Sequence, residues 1–126
     1  MTDVRALDRD EPKEIIAVAH GMRATLVEVL GEARGVALYD YDWLVARVRW
    51  HLDREQCDGE VFVAVAPGGE LVGHSIVRAE RDDAGAPFGL FSTTWVQPAH
   101  RRTGLASELV RRGEAWMVAR GLDEAA

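Results

Sequence analysis

Several protein classes are excluded by what the chain has little of. Cys57 is the only cysteine, so no internal disulfide can form and a disulfide-stapled secreted fold is ruled out. That usage fits a reducing compartment, and a cytoplasmic location is the expectation. No segment approaches the roughly 20 apolar residues that a membrane-spanning helix needs. Nor does an apolar core follow Met1-Thr2-Asp3-Val4-Arg5, as it would in a secretory leader. Excess positive charge is missing too. Fifteen Lys and Arg stand against 21 Asp and Glu, for a net charge of −6. That balance argues against a nucleic-acid surface, and the arginines of the last third are interleaved with Glu108 and Glu114. No metal site and no membrane contact are expected.

What is present is ordinary for a globular protein: 126 residues, 48% hydrophobic and 29% charged. This length makes one domain, residues 1–126, able to bury roughly two-thirds of its unfolded surface. A negative field would favour a cationic substrate such as a protonated amine, although mild acidity also serves solubility alone.

One stretch organises the rest. Phe88 to Val96 is rich in aromatic and β-branched residues, which suit a strand, and Pro98 ends it because proline has no N–H for a ladder. From Leu105 the apolar spacing becomes helical, through Leu109 and Trp116 with Ala106, Val110 and Met117 beside them. Arg101, Arg102, Thr103 and Gly104 lie between. The first N–H groups of a helix have no intrahelical partner and sit at its positive end. Gly104 lets a ligand approach the backbone closely, and the two arginines suit phosphate oxygens. The stretch reads as an anion cradle. It is neither a Gly-x-x-x-x-Gly-Lys-Ser/Thr loop nor a three-glycine dinucleotide fingerprint.

The remaining elements read in order. Asp3–Leu7 is a short strand. Asp10, Glu11 and Pro12 start a long helix whose apolar face includes Ile15, Val18, Ala19, Met22 and Leu26, with Gly31 as its stop. Residues 32–38 read as a loop. Asp40 or Asp42 caps a second helix, which carries Leu44, Val48 and Leu52. Val61–Ala66 and Leu71–Arg78 form a hairpin around Pro67-Gly68-Gly69-Glu70, and a polar turn leads into the strand ending at Val96. Tyr39, Tyr41 and Asp42, with Trp43, could hold an ammonium group; packing on the sheet with a simple helix cap is the blander alternative. His20 and Cys57 read as bystanders, and His74 as a core or edge histidine.

The stretch Thr94–Ala106 resembles the GNAT acyltransferases, the superfamily of N-acetyltransferases that use acetyl-CoA. Their signature Gln/Arg-x-x-Gly-x-Gly/Ala is met by Arg101-x-x-Gly104-x-Ala106, after a strand ending in Val96-Gln97-Pro98. The resemblance implies an α/β fold of mixed α+β sheet type, in the order β-α-α-β-β-β-α. It implies that the chain is truncated, because a further strand, another helix and a hairpin would follow in the family. It also implies acetyl-CoA as cosubstrate, with backbone groups near Thr94, Trp95 and Val96 on its pantetheine arm. Arg101, Arg102, Thr103, Gly104, Leu105, Ala106 and Ser107 would hold its pyrophosphate. The segment with Tyr39, Tyr41 and Asp42 would border the acceptor, a primary amine on a small molecule or a protein. No catalytic acid or base is assigned. A homodimer covering the exposed sheet edge is expected. The competing expectation is a truncated or degenerate domain of this type that binds CoA or a partner without catalysis.

Overall fold

The computed structural model describes residues 2–123. Strand β1 (Asp3–Ala6) is followed by helices α1 (Pro12–Leu30), α2 (Glu32–Leu38) and α3 (Tyr41–Leu52). Strands β2 (Gly59–Val65), β3 (Leu71–Arg81) and β4 (Pro87–Val96) come next. A 3-10 turn (Pro98–His100) then leads to helix α4 (Leu105–Ala119). The four strands form one antiparallel sheet in the order β1-β2-β3-β4. Among the described residues β4 is therefore an edge strand.

Both faces of the sheet are covered, which is why its central strands read as near-continuous apolar runs. On one face Val61, Val63 and Ile76 meet Ile15, Val18, Ala19 and Met22 of α1 and Leu44, Val48 and Leu52 of α3. On the other, Phe62, Ala64, Val72, Val77 and Val96 meet Leu105, Leu109, Trp116 and Met117 of α4. Alternate residues of β2 thus serve opposite layers, as a two-residue strand period requires. No helix among the described residues is long and apolar enough to cross a membrane.

The helix starts follow local chemistry. Glu11 caps α1 by accepting from the Lys13 N–H, with Pro12 in the first turn. Asp40, rather than Asp42, caps α3, accepting from the Trp43 N–H at 2.7 Å. Residues 32–38 correct the sequence reading: they form α2, not a loop. Glu32, Ala33, Arg34, Ala37 and Leu38 are good helix formers, and Gly35 in their midst has a tertiary reason. Gly35 is buried, and a Cβ there would fall 2.7 Å from the Val27 Cα, so the glycine lets α2 lie directly on the backbone of α1.

Two irregularities bear on the site. Thr93 pairs with Ile76 but Phe91 pairs with Val77, so Ser92 is an extra residue, a bulge in β4. At the far end of the strand, the Gly89 N–H donates to the Asp123 carbonyl at 2.8 Å, so the chain returns beside the free edge of β4.

Candidate functional site

The strand edge follows from the ladder. Opposed residues in an antiparallel pair alternately point their N–H and C=O at the partner and away from it. The Gln97 N–H donates to Val72 of β3 at 2.8 Å, and Val96 lies opposite Gly73, Trp95 opposite His74 and Thr94 opposite Ser75. Val96 and Thr94 therefore turn their backbone polar groups to the free edge, while those of Trp95 are spent on β3. Of the three strand residues named from sequence, two offer backbone groups to a ligand, and Trp95 lines the same cleft.

That cleft, about 270 Å³, is walled by Thr94, Trp95 and Val96, by Thr25 and Glu28 of α1, and by Arg101 and Ala106. The sequence reading missed Thr25 and Glu28. Their signal was faint: a spacing of three on the polar side of the last turns of α1.

The turn beyond β4 is built from unusual backbone. Arg102 has φ 65° and Gly104 φ 80°, both left-handed, and the Thr103 hydroxyl donates to the His100 carbonyl at 2.7 Å. The first intrahelical bond of α4 runs from Glu108 N–H to the Gly104 carbonyl. The N–H groups of Leu105, Ala106 and Ser107 are accordingly free of intrahelical partners. A Cβ on Gly104 would meet nothing within 4 Å, so the space over this helix start is open. Arg102 is exposed and makes no side-chain hydrogen bond among the described residues. An oxyanion placed here would find aligned donors, a helix dipole and one exposed guanidinium.

Arg101, expected from sequence to meet a phosphate, is engaged within the protein. Its Nε donates to the Val96 carbonyl at 2.8 Å and its Nη2 to Glu28 at 2.5 Å. The side chain thus ties the turn to the end of β4 and to α1. Arg101→Ala is expected to lower stability by about 1.5 kcal/mol, since it leaves a strand carbonyl without its charged donor. Glu28→Gln is expected to cost less than about 0.5 kcal/mol, because that pair is roughly 40% exposed on both sides. Urea unfolding of both variants checks this; equal losses would contradict the assigned role.

Tyr39, Tyr41 and Asp42 sit at the start of α3 against α1. The Tyr41 hydroxyl lies 3.0 Å from His20 Nδ1, and the Arg23 guanidinium covers its ring at 4.2 Å. Tyr39 stacks on Trp43 at 3.8 Å, and its carbonyl accepts from Arg23. The chain's own Arg23 thus occupies a cation position over Tyr41. Asp42 is exposed, beside the true cap Asp40.

Three titratable side chains, His51, His74 and Cys57, are buried among the described residues. His74 is buried, with Nε2 2.9 Å from Thr93 Oγ1, and desolvation lowers its pKa to about 4. Cys57 is a buried thiol whose pKa burial pushes up, so it lacks the thiolate character of a nucleophile. No group of three or more His, Cys, Asp or Glu side chains suited to a metal ion exists among the described residues.

The family model described as acetyltransferase (GNAT) family matches residues 16–126. A GCN5-related N-acetyltransferase from Ralstonia eutropha JMP134 superposes with a TM-score of 0.77 at 19% identity, covering 99% of this chain and 82% of that one. Glucosamine-6-phosphate N-acetyltransferase from Arabidopsis thaliana gives 0.69 at 13% identity, covering 100% and 80%. The aminoglycoside N-acetyltransferase AAC(6')-Iy, solved in complex with CoA, gives 0.75 at 19% identity, covering 100% and 75%. At these identities the likeness is one of fold. No curated protein matches the chain by sequence.

Proposed function

The chain belongs to the acetyltransferase (GNAT) family, and on that premise we propose that it transfers an acetyl group from acetyl-CoA to a primary amine of a small molecule or a protein. One observation carries the reading: the free-edge groups of Thr94 and Val96 and the uncapped start of α4 border a single turn. The seven residues from Pro98 to Gly104 fold them together. The strand edge suits an extended chain of amides, and the helix start suits a pyrophosphate.

Acetyl-CoA supplies a thioester carbonyl as electrophile. Thr94 and Val96 hold the amide-bearing arm by their N–H groups, and the Thr94 carbonyl is an acceptor for it. Arg101 occupies the Val96 carbonyl, which restricts that residue to a donor. Leu105, Ala106 and Ser107 bind anionic oxygens through N–H groups already fixed by the helix, so little reorganisation is needed. Arg102, Thr103 and Gly104 complete this wall. The neutral amine attacks the carbonyl carbon, a C–N bond forms, the C–S bond breaks, and the proton lost from nitrogen ends on the thiolate. The proposal gives no side chain the role of base; His74 is held neutral and away from solvent.

Tyr39, Tyr41 and Asp42 remain the proposed acceptor side. A cytoplasmic setting and a homodimer covering an exposed sheet edge belong to the same proposal.

The test is calorimetric titration of the chain with acetyl-CoA, followed by a thiol-release assay over a panel of primary amines. Micromolar binding with turnover is the expected result. Binding without turnover on any amine favours the alternative, a domain that binds CoA without catalysis. No binding by the folded chain removes both.

A further inference from the structure

We infer that Trp95 is a specificity residue of the cleft, its indole N–H donating to a carbonyl or hydroxyl oxygen on the amide-bearing arm of the acyl donor. This rests on the acyl-donor reading above. Trp95 Nε1 is buried and has no hydrogen-bond partner in the protein among the described residues. A buried donor in that condition is costly, and at a ligand site it is satisfied by the ligand.

Several of its neighbours in the wall are already committed within the protein. Thr25 Oγ1 donates to the Gly21 carbonyl at 3.0 Å, and Glu28 and Arg101 are paired with each other. The indole also lies between two residues, Thr94 and Val96, that turn their backbone to the free edge. A ligand that bonds both must pass the root of the Trp95 side chain.

The ring is held in place. A Cβ on Gly21 would sit 2.8 Å from Trp95 Cε3 and from His74 Nδ1, so the absence of a side chain there makes the slot that the indole fills. His74 lies beside it, ring centroids 6.1 Å apart, and is itself fixed by Thr93. A donor pre-positioned by packing loses little entropy when it binds.

Trp95→Phe keeps an aromatic ring and removes the N–H. It is expected to raise both Kd and KM for acetyl-CoA about tenfold, the loss of one buried hydrogen bond, with kcat within about twofold. The second measurement is made on the parent chain. With the four tryptophans labelled with nitrogen-15, the Trp95 indole proton is expected to move downfield when CoA saturates the protein. An indole resonance that does not move, or a variant that binds acetyl-CoA like the parent, would each overturn the inference. Failure of the parent itself to bind acetyl-CoA would overturn the acyl-donor reading, and this one with it.

Discussion

Gly104→Asp is expected to abolish acetyl-CoA binding, raising Kd more than about 100-fold, while leaving the unfolding free energy within about 1 kcal/mol of the parent's. The fold should tolerate the change for two reasons. A Cβ at residue 104 meets nothing within 4 Å, and aspartate enters the left-handed region, here φ 80°, at a cost of about 1 kcal/mol. A carboxylate at the helix start returns part of that through the dipole. Binding should fail for the same reasons. The new charge competes for the N–H groups of Leu105 to Ser107 and stands within a few ångströms of a bound pyrophosphate. At 5 Å and an effective dielectric of 20, repulsion is about 3 kcal/mol for each unit charge. Gly104→Asn separates charge from bulk and is expected to weaken binding only about tenfold. Titration calorimetry on both variants decides the matter; an Asp variant that binds like the parent would move the phosphate site away from this turn.

The second large effect is acid lability. His51 is fully buried in α3, its Nδ1 3.0 Å from the Arg47 carbonyl and its Nε2 3.2 Å from Arg78 Nη1. A carbonyl only accepts, so Nδ1 carries the proton and Nε2 accepts from the arginine. A second proton would meet that guanidinium. Desolvation first, and Arg78 with Arg47 after it, lower the His51 pKa to about 4; burial does the same for His74.

In both cases the folded pKa lies below the unfolded value of 6.5, so the unfolded chain takes up the proton first. The stabilisation is complete above about pH 6.5 and is lost as pH falls from there toward 4. Each histidine accounts for roughly 3 kcal/mol over that span, so together they approach the whole stability of an ordinary domain, about 5–15 kcal/mol. Urea unfolding between pH 7 and pH 4.5 should show a slope approaching two protons. His74→Gln, neutral throughout, should remove one proton's share. A flat profile from pH 7 to pH 5 would contradict the burial of both rings. Glu14 adds a separate loss at lower pH, because its hydrogen bond with Arg5 lowers its pKa below the usual carboxylate value.

The strand, turn and helix around residues 88–119 were legible because their signals are local: aromatic and β-branched residues, then Pro98, then a left-handed glycine and helical spacing. Local chemistry also gave the start of α1 and both hairpin turns. What escaped the sequence reading is tertiary. Helix α2 lies on α1 because Gly35 fits against Val27, and no periodicity announces that. The attachment of Arg101 to Glu28 joins residues 73 positions apart, so no local signal announces it. The backbone of Trp95 was assigned to a ligand because the phase of the ladder cannot be read from side chains. The burial of His51 depends on the packing of α3 against β2, and a lone histidine in a helix carries no mark of it.

The bulge at Ser92 has one more consequence. Phe91 pairs with Val77 and Thr93 with Ile76, so every other residue of β4 would keep its partner if Ser92 were deleted. Phe91 and Thr93, two positions apart, already serve opposite layers of the protein. Elsewhere in a strand, losing one residue inverts every side chain beyond it. Here the loss would be silent to the sheet and would change only the bend of its edge. Ser92 is thus a position at which pairing imposes no constraint on chain length, and its retention is a question of edge curvature alone.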